Sequence, residues 1–98
     1  MAAVSVSTHV LDTEHGQPAA GVRVELLDAS GTVVGEGVTD GDGRIGELGS
    51  GAPGSYCIVF HPPSPFFSRI ELQVELDDGH FHVPLLISSY ACASYRGS

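Results

Sequence analysis

Apolar and polar residues alternate at period two along most of this chain, and no long window keeps a 3.6-residue apolar stripe. In the first run Val4, Val6, Thr8 and Val10 share one face, leaving Ser5, Ser7, His9 and Leu11 on the other. Val22, Val24 and Leu26 repeat the pattern, and Thr32-Val33-Val34 follows the turn signal Asp28-Ala29-Ser30-Gly31. Thr39-Asp40-Gly41-Asp42-Gly43 predicts a tight turn, because glycine and aspartate accept the positive φ such turns require. Tyr56 to Phe60 reads as a buried strand, stopped at His61-Pro62-Pro63-Ser64-Pro65, where the prolines have no N–H to donate to a sheet. Alternation resumes from Arg69 to Leu76 and turns at Asp77-Asp78-Gly79. It then places Phe81, Val83, Leu85 and Ile87 inward and His80, His82, Pro84 and Leu86 outward. A last short strand covers Tyr90 to Tyr95. These seven or eight short strands predict an all-β fold, an antiparallel β-sandwich forming a single domain over residues 1–98.

Composition narrows the partners. Twelve acidic residues stand against four basic ones, a formal charge of −8, and all four bases are arginine: Arg23, Arg44, Arg69 and Arg96. Nucleic acid and anionic membranes are poor partners for such a surface, and any anion must be met by one of these arginines or by a histidine. The first residues carry no basic region and no continuous apolar run, so a cytoplasmic location is expected, with Cys57 and Cys92 reduced.

The candidate chemistry lies on the outward faces. An outer face carrying histidines beside Leu11 and Leu86 predicts a surface partly covered by another subunit. His80 and His82 have a spacing that two metal ligands could use, and His9 could be a third. No acidic or cysteine ligand is arranged to complete a site, so neither a metal nor another cofactor is expected. Asp40-Gly41-Asp42-Gly43 opens like a calcium loop, but Arg44 and Gly51 occupy positions that would need ligands. No serine elbow and no phosphate loop is present. Taken alone, His15 and His61 read as surface residues, Arg44 as a solvated residue after a turn, Tyr95 as an anchor at a sheet edge and Ser98 as a free end.

Four short motifs change that picture. Thr8-His9-Val10-Leu11-Asp12-Thr13 with Gly16-Gln17-Pro18-Ala19-Ala20-Gly21-Val22, then Thr39 to Arg44, then His80-Phe81-His82-Val83-Pro84-Leu85-Leu86, and finally Tyr95-Arg96-Gly97-Ser98 occur in this order. Together they resemble the 5-hydroxyisourate hydrolases, the transthyretin-like enzymes of urate breakdown, and the closing tetrapeptide separates those enzymes from true transthyretins. One stretch departs from the family: His61 to Ser68 is too short for the helical excursion its members usually carry, so the helix should be missing or shortened.

The resemblance implies hydrolysis of 5-hydroxyisourate to 2-oxo-4-hydroxy-4-carboxy-5-ureidoimidazoline, with His9, Arg44, His82 and Ser98 as the catalytic cluster. It places His9, Arg44 and Tyr95 against the substrate, and it implies a homotetramer, a dimer of dimers, with sites where subunit faces meet. Two other functions fit parts of the pattern, a non-catalytic ligand carrier like transthyretin and a structural β-sandwich module. Neither has a use for histidines at both 9 and 82.

Overall fold

Strand β1 (Val4–Asp12) is the axis of the site-bearing sheet. Its inward side chains Val4, Val6, Thr8 and Val10 are all buried, as their period-two spacing requires. The computed structural model describes residues 2–97 and holds two sheets. In the first, β1 pairs antiparallel along one edge with β5 (Arg44–Gly51) and the short β2 (Gln17–Pro18). Along the other it pairs parallel with β8 (Gly79–His82) and β9 (Leu85–Ile87), and β10 (Cys92–Ser94) closes that side. The second sheet runs β4-β3-β6-β7, with β3 at Arg23–Leu27, β4 at Val33–Val38, β6 at Gly54–His61 and β7 at Ile70–Leu76. Val24, Leu26, Ile58, Phe60 and Leu85 are fully enclosed, and burial of each large side chain contributes about 1.5–3 kcal/mol.

The all-β expectation holds, with no helix among the described residues. Three local readings are corrected. Pairing is antiparallel except at β1, which takes both β8 and β9 in parallel. The run from Phe81 to Ile87 is two strands, because Pro84 has no N–H to extend the ladder, and Pro84 is buried rather than outward. The last strand is shorter than Tyr90 to Tyr95. Residues 62–69 confirm the missing helix: the Ser64 hydroxyl accepts from the Phe66 and Phe67 amides, a cap that leads into no helix, and donates to Ser89 O at 2.8 Å. No described helix is long and apolar enough to cross a membrane. Both cysteines are free thiols, Cys57 on β6 and Cys92 on β10.

Thr39, in the connection from β4 to β5, is buried, accepts from the Val22 amide at 2.8 Å and donates to Ala19 O at 2.7 Å. Thr39→Val keeps the shape and leaves both backbone groups without that partner, at about 1–3 kcal/mol for each buried group. The variant should unfold at lower urea concentration with an unchanged m-value; an unchanged midpoint would mean that water replaces the hydroxyl.

Candidate active site

Register brings the predicted residues together. His9 lies directly opposite Arg44 across the β1–β5 ladder, and Ser7 opposite His82 across β1–β8. Paired positions put their side chains on the same face of a sheet, so His9, Arg44 and His82 emerge together on the outer face of the first sheet. With Ser7, His80, Tyr95 and Gly97 they line an open concavity of about 480 Å³.

The turn before β5 fixes His9. Asp40 Oδ1 accepts from the amides of Asp42 and Arg44, and the Asp40 C=O accepts from Gly43 N–H. These bonds tie Asp40 to its own loop. They hold its carboxyl below the usual aspartate range, led by the bond from the Arg44 amide. Gly43 has φ +75°, and a Cβ there would meet Val10 O at 2.4 Å, so only glycine lets the turn lie against β1. The Asp42 carbonyl consequently reaches His9 Nε2 at 2.9 Å. A carbonyl can only accept, so His9 donates from Nε2 and, when neutral, keeps its lone pair on Nδ1.

His82 is half-buried, and its ring nitrogen Nδ1 lies 2.8 Å from Ser7 Oγ. Its pKa is lowered from the ordinary histidine value, first by burial and then by the positive charge of Arg44 and the neighbouring His9 and His80. The ring is therefore neutral at neutral pH. Arg44 itself is exposed and makes no ion pair among the described residues, leaving its guanidinium free to meet an anion. Arg23 and Arg69 are instead engaged with Glu25, Glu36 and Glu71.

The terminal motif straps across β8. Gly97 N–H donates to His82 O at 2.7 Å, and a Cβ on Gly97 would sit 2.6 Å from the His82 ring, so the glycine lets the chain lie against that ring. The Arg96 guanidinium stands 4.7 Å from the centre of the Phe81 ring, a cation–π contact. Tyr95 is 59% exposed at the rim. Ser98 lies outside the described residues.

Sequence reading missed Ser5, Ser7 and His80 as parts of the site, although all three lie on the outward face assigned to them. Ser7 Oγ touches His80 Nε2 as well as His82, at 2.8 Å each, and Ser5 Oγ lies 2.7 Å from His80 Nδ1. The signal was the shared parity of Ser5, Ser7 and His9. Among the described residues no cluster of three or more His, Cys, Asp or Glu side chains could hold a metal.

Two facing sheets in this order, with a histidine–arginine site on the outer face of one, define a transthyretin-like sandwich with a polar site. The sequence model of the HIUase/Transthyretin family matches residues 6–97, and the chain belongs to that family. It is 40% identical to the 5-hydroxyisourate hydrolase of Deinococcus radiodurans, with 95% of each chain covered. That alignment runs over 113 residues, longer than this chain, as an omitted segment requires. The Klebsiella pneumoniae 5-hydroxyisourate hydrolase structure superposes with a TM-score of 0.87 at 32% identity, covering 97% of this chain and 99% of that one. Sea bream transthyretin in complex with thyroxine superposes at 0.83 with 24% identity, covering 94% of this chain and 93% of that one, a likeness of fold alone.

Proposed function

We propose that this protein hydrolyses 5-hydroxyisourate to 2-oxo-4-hydroxy-4-carboxy-5-ureidoimidazoline, a cytoplasmic step of urate breakdown that needs neither metal nor cofactor. The observation that carries the reading is the convergence of His9, Arg44 and His82 on one open face. A carrier of apolar ligands has no use for that cluster, and a structural module has none for an arginine without an ion-pair partner among the described residues beside a neutral histidine. The relatives named as 5-hydroxyisourate hydrolases point the same way.

The chemistry needs water made nucleophilic at a ring carbonyl and stabilisation of the oxygen that becomes negative. His82, neutral and half-buried, takes the proton of the attacking water. His9, with Nε2 committed to Asp42 O, offers Nδ1 as an acceptor that orients the water or the ring. Arg44 presents two parallel donors to the oxyanion or to the anionic substrate. Tyr95 closes the rim, and Ser98 supplies a further hydroxyl to substrate or water. Water adds across the C–N bond: its oxygen joins the carbonyl carbon, and one proton ends on the departing nitrogen.

The working assembly is proposed as a homotetramer, a dimer of dimers, in which a second subunit covers the concavity. Half-buried Leu11 and Leu86 on the same sheet supply apolar contact for it. Fully active monomer in sedimentation would remove this part of the reading.

Freshly generated 5-hydroxyisourate, followed by its ultraviolet decay, tests the activity; decay at the spontaneous rate overturns it. Because burial, Arg44, His9 and His80 all lower the His82 pKa, the acidic limb of kcat/KM should fall below about pH 6.5, the ordinary histidine value. Protonation removes the base, so activity is lost as pH falls through the folded-state value. A limb above 6.5 would assign the base elsewhere.

A further inference from the structure

Ser5, His80 and Ser7 form a continuous hydrogen-bonded chain that ends on His82. Ser5 Oγ meets His80 Nδ1 at 2.7 Å, His80 Nε2 meets Ser7 Oγ at 2.8 Å, and Ser7 Oγ meets His82 Nδ1 at 2.8 Å. At the outer end His80 is exposed and Ser5 is half-buried beside it, while Ser7 is buried. The registers Ser5↔His80 and Ser7↔His82 hold the four residues on one face.

A hydroxyl has one proton. Ser7 Oγ has no third partner among the described residues, so its proton goes to one of the two histidines while its oxygen accepts from the other, and the whole chain has two polarities. In one, Ser7 donates to His82 Nδ1, His82 carries its proton on Nε2, and Nε2 cannot accept from water. In the other, His82 Nδ1–H donates to Ser7, Ser7 donates to His80 Nε2, and His80 Nδ1–H donates to Ser5. Only the second leaves a lone pair on His82 Nε2.

Resting on the function proposed above, we propose that Ser7 and His80 are positioning residues: they hold His82 in the Nδ1–H tautomer and relay the charge it gains toward solvent. When the water oxygen bonds to the carbonyl carbon, one of its protons passes to His82 Nε2. The His82 Nδ1 proton moves to Ser7 Oγ as the Ser7 hydroxyl proton moves to His80 Nε2. His80 then holds the positive charge with a proton on each nitrogen, and His82 is neutral with its proton on Nε2. When the carbonyl re-forms and the C–N bond breaks, the electron pair on the leaving nitrogen takes the His82 Nε2 proton. The two transfers along the chain reverse, and every group returns to its starting state. Exposure of His80 suits this role, because water stabilises a charge there better than at the half-buried His82. Among the described residues, Arg44 and His9 from the first-sheet strands, with Arg96 and Tyr95 from the terminal strap, are the other titratable or charged groups lining this surface.

The polarity is read without substrate. Nitrogen-15 NMR of the imidazole rings at neutral pH should find the Nδ1–H tautomer at both His80 and His82, and Ser7→Ala should return His82 toward the Nε2–H form. An Nε2–H tautomer at His82 in the unaltered protein overturns the relay whatever the enzyme's activity, whereas decay at the spontaneous rate overturns the function and leaves the tautomer result standing. In the activity assay His80→Ala should lose about 10-fold or more in kcat, with KM changed less than about threefold. Added imidazole, free to enter the exposed space, should restore part of the rate. Wild-type kcat in His80→Ala, or a deficit that imidazole does not relieve, overturns the relay of charge.

Discussion

His82→Gln is expected to lower kcat by about 100-fold or more, the lower end of what a positioned base contributes, while the protein folds as before. Glutamine is near histidine in length, and its amide can still meet Ser7 Oγ. The half-buried position and the Gly97 contact are thereby filled rather than emptied. What disappears is a nitrogen that can take a proton. The substitution should therefore act on the transition state, lowering kcat and kcat/KM by similar factors. His9→Gln provides the contrast: His9 Nε2 is held by Asp42 O, and in the proposed mechanism His9 orients rather than abstracts, so its loss should raise KM as well as lower kcat. The measurement is steady-state decay of 5-hydroxyisourate after subtraction of the spontaneous rate, with urea denaturation as a check on folding. A drop of less than about tenfold in His82→Gln would move the base to another group.

How much of this was legible in the chain depends on which strand is considered. β1 reads directly, because Val4, Val6, Thr8 and Val10 alternate without interruption and their burial follows. The outward parity of His9 came from the same pattern. β5 does not read at all. Arg44-Ile45-Gly46-Glu47-Leu48-Gly49-Ser50-Gly51 has glycine at three of its eight positions, and the ladder to β1 shifts register between Val6 and Thr8. Ile45 and Leu48 are both buried although their spacing is odd, so a period-two reading finds no strand there. Arg44 consequently looked like a solvated residue after a turn, and only the family resemblance raised it to a candidate. The parallel pairing of β1 with β8 and β9 was also invisible, because alternation assigns faces and says nothing about neighbours. The hydrogen-bonded chain through Ser7 depended on that neighbour relation, which explains why its members were seen singly and never as a set. Where pairing is local, as at the Asp40 to Gly43 turn, sequence and structure agree.

Arg44→Lys is the sharper test of the site, because it keeps the charge and removes the shape. The strand that carries Arg44 sets it opposite His9, exposed and without an ion-pair partner among the described residues. A guanidinium there can give two parallel hydrogen bonds to a planar anion, and an ammonium cannot. If that fork holds the developing oxyanion, Arg44→Lys should cost about 10²–10³-fold in activity, the range for losing a directed donor to such an oxygen. Arg44 also contributes to lowering the His82 pKa through its charge. Lysine preserves that effect, so the acidic limb should stay where it is while the plateau falls. Arg44→Ala removes both: the plateau falls, and the limb moves to higher pH as His82 becomes easier to protonate. The two variants thus separate shape from charge. A lysine variant within about threefold of the original would show that the site needs only a positive charge. An alanine variant with an unmoved limb would show that His82 does not feel Arg44, and the base would then be a group farther from it.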